Sequence, residues 1–303
     1  MPQGIGKTEE RGGQSILMKV KVSSVPISVV IITRDEEKNI TGCLQSVQWA
    51  EDIVVVDAES RDRTVELCKK FTPRVYRRPW PGYAEQKSFA LRHAKREWVL
   101  SLDADERVSD ELREEISALV MSQPECDGYY LPRLSAYLGK WIRQCGWYPG
   151  YQLRLFRKSK TSVAQARVHE GFVVRGKVGY LHGALLHYSY RDLEENVRKL
   201  NRYSTLEAHD RLRHAQVRWY HFVFHPLSEF WRKFVLRKGL REGMHGFVLC
   251  TMSAFQKMVL YMKIWQLQHW SRLTVLYENA GAPPCQLDLV EEDGPIGPRD
   301  HAQ

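Results

Sequence analysis

Apolar and polar positions follow two different patterns along this 303-residue chain. The first half carries short unbroken β-branched runs, ISVVIIT at 27–33 and DIVVVD at 52–57, as strands buried on both faces require. A shorter run at 74–77 and EWVLSL at 97–102 read as third and fourth strands. Helical spacing between the runs predicts helices over 39–48, 64–70, 86–93 and 109–121, the last capped by Ser109 or Asp110. Strands and helices alternating at this spacing imply an α/β fold, a doubly wound and mostly parallel sheet.

From residue 128 the rhythm changes. Strands are expected over 128–134 and 151–156, flanking an aromatic loop with Trp141, Trp147 and Tyr148, and a hairpin over 173–180. Helices follow over 193–214, 228–240 and 244–270. On a 3.6-residue wheel Met244, Val248, Met252, Phe255, Val259 and Met262 share one face of the last helix, with Lys257 opposite and Lys263 on the border. Such a face either packs on the α/β domain or belongs to an amphipathic surface helix. The organisation expected is therefore a polar leader over 1–25 and an α/β domain over 26–190, divided at residues 125 and 126 where the rhythm changes. A basic amphipathic segment over 191–275 and an acidic, Pro/Gly-rich tail over 276–303 complete it.

Charge narrows the partners. The net charge is +9, and fifteen Lys and Arg against seven Asp and Glu lie between residues 191 and 272, so nearly all the excess sits there. Nucleic acid, anionic lipid or a phosphorylated substrate would each suit it. No helix-turn-helix, zinc or single-strand-binding motif supports nucleic acid. The six cysteines are scattered without metal-ligand spacing, which fits a reducing cytosol. No long uncharged apolar run suggests a spanning helix.

In open α/β sheets ligands bind at the carboxyl ends of strands. Asp57 ends the second strand there, and Asp103-Ala104-Asp105-Glu106 follows the fourth. Three carboxylates in four residues repel one another unless a cation or solvent compensates. The turn reads either as a metal site, since hard divalent cations take oxygen ligands, or as a solvated acidic turn before the next helix.

Taken with Thr33-Arg34-Asp35-Glu36-Glu37 after the first strand and Asp57-Ala58-Glu59-Ser60-Arg61-Asp62 after the second, this order resembles the GT-A fold of glycosyltransferase family 2. Further segments are Trp80-Pro81-Gly82-Tyr83, Gln86-Lys87, Tyr137-Leu138-Gly139-Lys140-Trp141, Gly146-Trp147-Tyr148-Pro149, Gln152-Leu153-Arg154-Leu155-Phe156, Val168-His169-Glu170 and Leu186-His187-Tyr188-Ser189-Tyr190. These are similar to the bacterial subgroup that glucosylates the inner core of lipopolysaccharide, a likeness spanning about residues 27–265. The resemblance implies a UDP-sugar donor, with glucose the sugar in that subgroup, Mg2+ or Mn2+, and inverting transfer to a glycolipid or lipopolysaccharide-core hydroxyl. It also implies that 26–190 is the catalytic domain, with a nucleotide-binding half over 26–125 and an acceptor half over 126–190, and a peripheral place on the inner face of the cytoplasmic membrane.

Residue by residue, the resemblance puts Thr33 and Glu36 in the nucleotide pocket, Asp57 on the uracil and Lys87 near the base or diphosphate. Asp103 falls on the ribose or metal, Asp105 on the metal, and His169 on the metal or diphosphate. Glu170 is the expected general base. Trp147 and Tyr148, with Trp141, would wall the acceptor site, and Arg154 would meet an acceptor phosphate. The plain alternatives stay open: a helix-capping role for Asp57, a solvated Lys87, a structural His169, core packing for the aromatics and a salt bridge for Arg154. Gly150 and Ser88 depart from the subgroup, which often has Asp and Asn there. Other readings of the chain are a polyprenyl-phosphate sugar transferase, a nucleotidyltransferase, against which the glycine-free stretch 33–38 counts, and a nucleic-acid-binding protein.

Overall fold

The computed structural model describes residues 24–122, 124–164, 171–212 and 216–269. The leader up to residue 23, the tail from residue 270, His169 and Glu170 lie outside the described residues.

Strands β1 (Val25–Thr33), β2 (Ala50–Asp57), β3 (Val75–Arg77) and β4 (Trp98–Asp103) pair in parallel in the order β3-β2-β1-β4. Their β-branched runs are buried on both faces. Ile27, Val29 and Ile31 point to one core layer, with Ile40, Cys43 and Leu44 of α1 (Ile40–Gln45) and Leu112 and Ile116 of α4 (Asp110–Met121). Val30 and Ile32 point to the other layer, with Ala90 and Leu91 of α3 (Tyr83–His93). The short α2 (Thr64–Lys69) connects β2 to β3. Ser109 caps α4, its hydroxyl accepting the Leu112 N–H at 3.2 Å. The GT-A-type α/β sheet expected from the sequence is the sheet observed.

Beyond β4 the sheet turns mixed. After β4 the chain makes a two-residue turn and enters β5 (Glu106–Val108), which lies at the far edge of the same sheet. Between them stand β8 (Gly150–Arg157), antiparallel to β4, then β6 (Gly128–Tyr137), then β12 (Leu185–Tyr190), parallel to β6 and antiparallel to β5. The acidic turn thus spans the seam between the two halves of the sheet. The β6–β8 register slips between Tyr129, opposite Leu155, and Tyr130, opposite Leu153, which leaves Arg154 without an opposite residue, as in a β-bulge.

Several expectations need correction. The segment 173–180 is not a hairpin: β10 (Phe172–Val174) pairs with β9 (Thr161–Val163), and β11 (Val178–Tyr180) joins β6 in parallel. The first helix is shorter than expected, and β7 (Lys140–Ile142) folds back on β6 from the predicted aromatic loop. The helix expected over 228–240 begins earlier as α6 (His221–Trp231) and ends in a π-turn over Arg232–Leu236.

The last helix, α7 (Met244–Gln268), follows a long α5 (Leu193–Arg211) and packs on both α5 and α6. The face it buries holds Gly246, Leu249, Cys250, Leu260 and Ile264. Lys257 pairs with Glu207 of α5 at 3.7 Å, and the Lys263 ammonium bonds Asn201, Ser204 and Thr205 of the same helix. Lys257, opposite the apolar stripe, and Lys263, on its border, therefore sit against α5. Met244, Phe255 and Met262 of the apolar stripe are exposed instead. In this rotation Lys263 finds hydrogen-bond acceptors on α5 and Lys257 a counter-charge. By length and composition alone α7 also reaches what a membrane span needs, contrary to the sequence reading.

Candidate active site

The turn Asp103–Glu106 is held from every side. Asp103 ends β4, and its N–H donates to Glu106 Oε2 at 3.0 Å, which closes the turn. The Asp103 carboxylate pairs with the Arg154 guanidinium, which also donates to Glu106 Oε1 at 2.7 Å. Arg133 on β6 stands 3.9 Å from the same Glu106 oxygen. All four side chains are buried. Arg154 makes both of these contacts from the position where the β6–β8 register slips.

Asp105 is handled differently. Its carbonyl accepts the Tyr188 N–H at 3.0 Å, and its Oδ2 lies 3.3 Å from His187 Nε2. The other ring nitrogen of His187 lies 3.0 Å from the Ser135 hydroxyl. Asp105 Oδ1 is buried and has no hydrogen-bond partner among the described residues. Burial opposes ionisation of Asp105, but the neighbouring His187, Lys199 and Arg133 outweigh it and pull the carboxyl down to about 2. It is therefore an anion with one oxygen committed and one uncommitted.

Glu36, half-buried after β1, is shifted the other way. Burial first, then the charge of Asp105, push its carboxyl up to about 7 against the hydrogen bond from Asn39 and the charges of Lys199 and Arg191. Burial also raises Glu106. Lys199 comes from α5, where its ammonium bonds the Ser189 carbonyl and Glu195. The helical segment thus reaches into the electrostatics of the strand-end turn.

The remaining predicted residues fall as follows. Thr33 and Asp57 lie in register at the ends of β1 and β2, both buried. Asp57 accepts the Ser60 N–H at 3.0 Å and the Ser60 hydroxyl, and Arg77 Nε stands 3.5 Å away. Lys87 on α3 is buried, with its ammonium over the rings of Tyr83 and Phe172 at 5.9 and 5.7 Å. Phe172 is the first residue of β10, two positions after Glu170 in the sequence.

Trp147 packs edge-on to Tyr137 at 5.6 Å within the cluster that joins the sheet to α7. Trp141 packs edge-on to Tyr188, one residue beyond His187. Tyr148 lies beside Arg143. Arg154, expected at an acceptor phosphate, is turned inward on Asp103 and Glu106, so the buried salt bridge is the role its geometry supports.

Sequence reasoning missed His187, Arg133 and Lys199 as parts of the site. One signal for His187 was legible: in LLHYSY the residues Leu185, His187 and Ser189 alternate inward with period two. A histidine on the buried side of a strand needs polar partners. No local pattern pointed to Arg133 or Lys199.

Comparison with known proteins agrees with this frame. A model of glycosyl transferase family 2 matches residues 28–174. Lipopolysaccharide core biosynthesis glycosyltransferase LpsC of Rhizobium meliloti is 33% identical over 254 residues, covering 81% of this chain and 94% of that protein. An uncharacterized glycosyltransferase of Rickettsia typhi is 32% identical over 267 residues, covering 84% and 91%. Among solved structures, S. aureus TarS aligns over 82% of this chain and 92% of its own with a TM-score of 0.43 and 14% identity. The chain is a glycosyltransferase and belongs to glycosyltransferase family 2.

Proposed function

We propose that the protein transfers a hexose from a UDP-sugar to a hydroxyl of a lipopolysaccharide-core glycolipid, with inversion, glucose being the sugar the subgroup resemblance favours. The observation that carries this is Asp105, ionised and buried with one uncommitted oxygen at the carboxyl end of β4. The described residues contain no group of three His, Cys, Asp or Glu side chains able to hold a cation alone. Asp105 with donor phosphate oxygens fits magnesium or manganese, which typically use one or two carboxylates plus phosphates. Asp103 contributes less than expected, because Arg154 already neutralises it. When bound, the cation would stabilise the charge of the departing diphosphate.

The chain's own residues supply the rest. His187 and Tyr188 orient Asp105, while Thr33, Asp57 and Lys87 surround the donor end of the sheet. Glu170 is the proposed general base, since a protonated hydroxyl is a poor nucleophile. His169 stays proposed beside the diphosphate. The name of LpsC supports the acceptor class. A donor screen tests the reading: UDP-, GDP- and ADP-sugars with magnesium or manganese, following nucleotide release. UDP-glucose should be consumed with a metal present, and Glu170→Gln should lose nearly all turnover. Equal turnover in that variant points to a polyprenyl-phosphate acceptor, which needs no strong base.

The proposed site of action is the inner face of the cytoplasmic membrane. On α6 and just before it Tyr220, Val223, Phe224, Leu227 and Trp231 recur at helical spacing, and all are exposed. Leu236, Leu240 and Met244, further along the chain, are each at least 68% exposed. Arg218, Lys238 and Arg241 flank it in solvent. Exposed apolar surface rimmed by cations suits an anionic bilayer interface. The double variant Leu236→Glu and Leu240→Glu should lose most sedimentation with phosphatidylglycerol vesicles; unchanged binding rejects this placement.

A further inference from the structure

Helix α3 runs antiparallel to the strands it covers. At its C-terminal end Arg74 donates to the His93 carbonyl, and the N–H groups of Lys95 and Arg96 meet Ser28 and Asp52 near the starts of β1 and β2. Its first turn therefore lies at the opposite, carboxyl ends of those strands, the ligand side of an open α/β sheet. Around the helix, Phe89 and His93 meet Tyr76 of β3 on one flank, and Lys87 meets Phe172 on the other. Gln86 stands one turn before Ala90, which packs with Val30, Ile32, Val54 and Val56. Gln86 thus shares the face over β1 and β2 and comes up beside their ends, where Thr33 and Asp57 lie.

Gln86 is 0% exposed, yet neither its Oε1 nor its Nε2 has a hydrogen-bond partner among the described residues. The Thr33 hydroxyl is in the same state. A side-chain amide has two donors and an acceptor to satisfy, and folded proteins rarely bury one unpaired. In a site built only for packing, leucine would serve better. We propose that Gln86 hydrogen-bonds the pyrimidine of the donor nucleotide. This rests on the nucleotide-sugar reading above. The uracil edge sets a ring N–H beside carbonyl oxygens. A carboxylate such as Asp57 accepts from the N–H but cannot donate to a carbonyl; the Gln86 amide nitrogen can. The two side chains complement each other, and together they match an edge that neither matches alone.

The test is calorimetric titration of UDP and of inorganic pyrophosphate, which lacks the base, into the full-length wild type and Gln86→Leu, with thermal unfolding of each protein in parallel. Removing the amide should weaken UDP roughly tenfold or more, the loss expected for a buried hydrogen bond of this kind. Pyrophosphate binding should change little, and the melting temperature should hold or rise, because an unsatisfied polar group has gone. UDP affinity that is unchanged, or that falls equally with pyrophosphate, overturns the inference. If the leucine variant does not fold, Gln86→Met, unbranched and also without the amide, is read in the same way. A wild type that does not bind UDP sinks the donor reading itself, an outcome distinct from a wild type that binds UDP no better than its Gln86 variant.

Discussion

Asp105→Asn is expected to reduce metal-dependent release of UDP from UDP-glucose by roughly 10²–10⁴-fold, since a cation in such a site supplies several kcal/mol to the transition state. The substitution keeps the volume and can still accept from His187, so the fold should survive. The uncommitted oxygen is what is removed, and its negative charge goes with it. Steady-state rates at saturating magnesium or manganese, compared with wild type, measure the effect; activity within a few fold of wild type would sink the proposed role. A second consequence follows at Glu36. Its carboxyl lies at about 7 through burial first and the charge of Asp105 second. An acid whose folded pKa is raised binds its proton more tightly in the folded state, so it adds stability as pH falls from above 7 toward the ordinary carboxyl range. In Asp105→Asn the second cause is gone, and that gain on acidification should shrink. Unfolding midpoints measured between pH 8 and pH 5 report it.

The largest stability effect is expected from Arg154→Met. Its guanidinium is the shared counter-charge of Asp103 and Glu106, and all three side chains are buried. Removing one partner of a buried ionic group leaves uncompensated charge and costs about 3–5 kcal/mol. Arg133, 3.9 Å from Glu106, offsets part of it. Burial already holds the Glu106 carboxyl above its ordinary value, so without Arg154 a proton on Glu106 becomes the easiest relief. The deficit should therefore narrow as pH falls. Urea unfolding at pH 8 and pH 5.5 checks both statements. An acceptor-phosphate role for Arg154 would instead predict near-normal stability with a raised acceptor KM.

Much of the parallel part of the sheet, β1 to β4, was legible in the chain. The runs at 27–33 and 52–57 are apolar on both faces, and such strands have few places to go except the middle of a covered parallel sheet. The acidic turn was legible for the same reason, since a strand that ends in Asp103 must deliver it to the ligand edge. The chain beyond β4 was harder to read. Its strands β5, β7, β9, β10 and β11 are each three residues long, too short for any period to declare itself.

Local patterning alone determined that the chain builds an α/β sheet with carboxylates at its strand ends and a basic helical segment behind it, because period and charge are properties of neighbouring residues. Which acid stays uncommitted was decided only in three dimensions. Arg154, at a one-residue slip between β6 and β8, meets Asp103, 51 positions away, while His187 pairs with only one oxygen of Asp105. The rotation of α7 was decided there too, since Lys257 and Lys263 find partners on α5 that no wheel drawn for one helix can contain. Ion pairing and hydrogen bonding between distant segments depend on register and packing, and those exist only once the chain has folded.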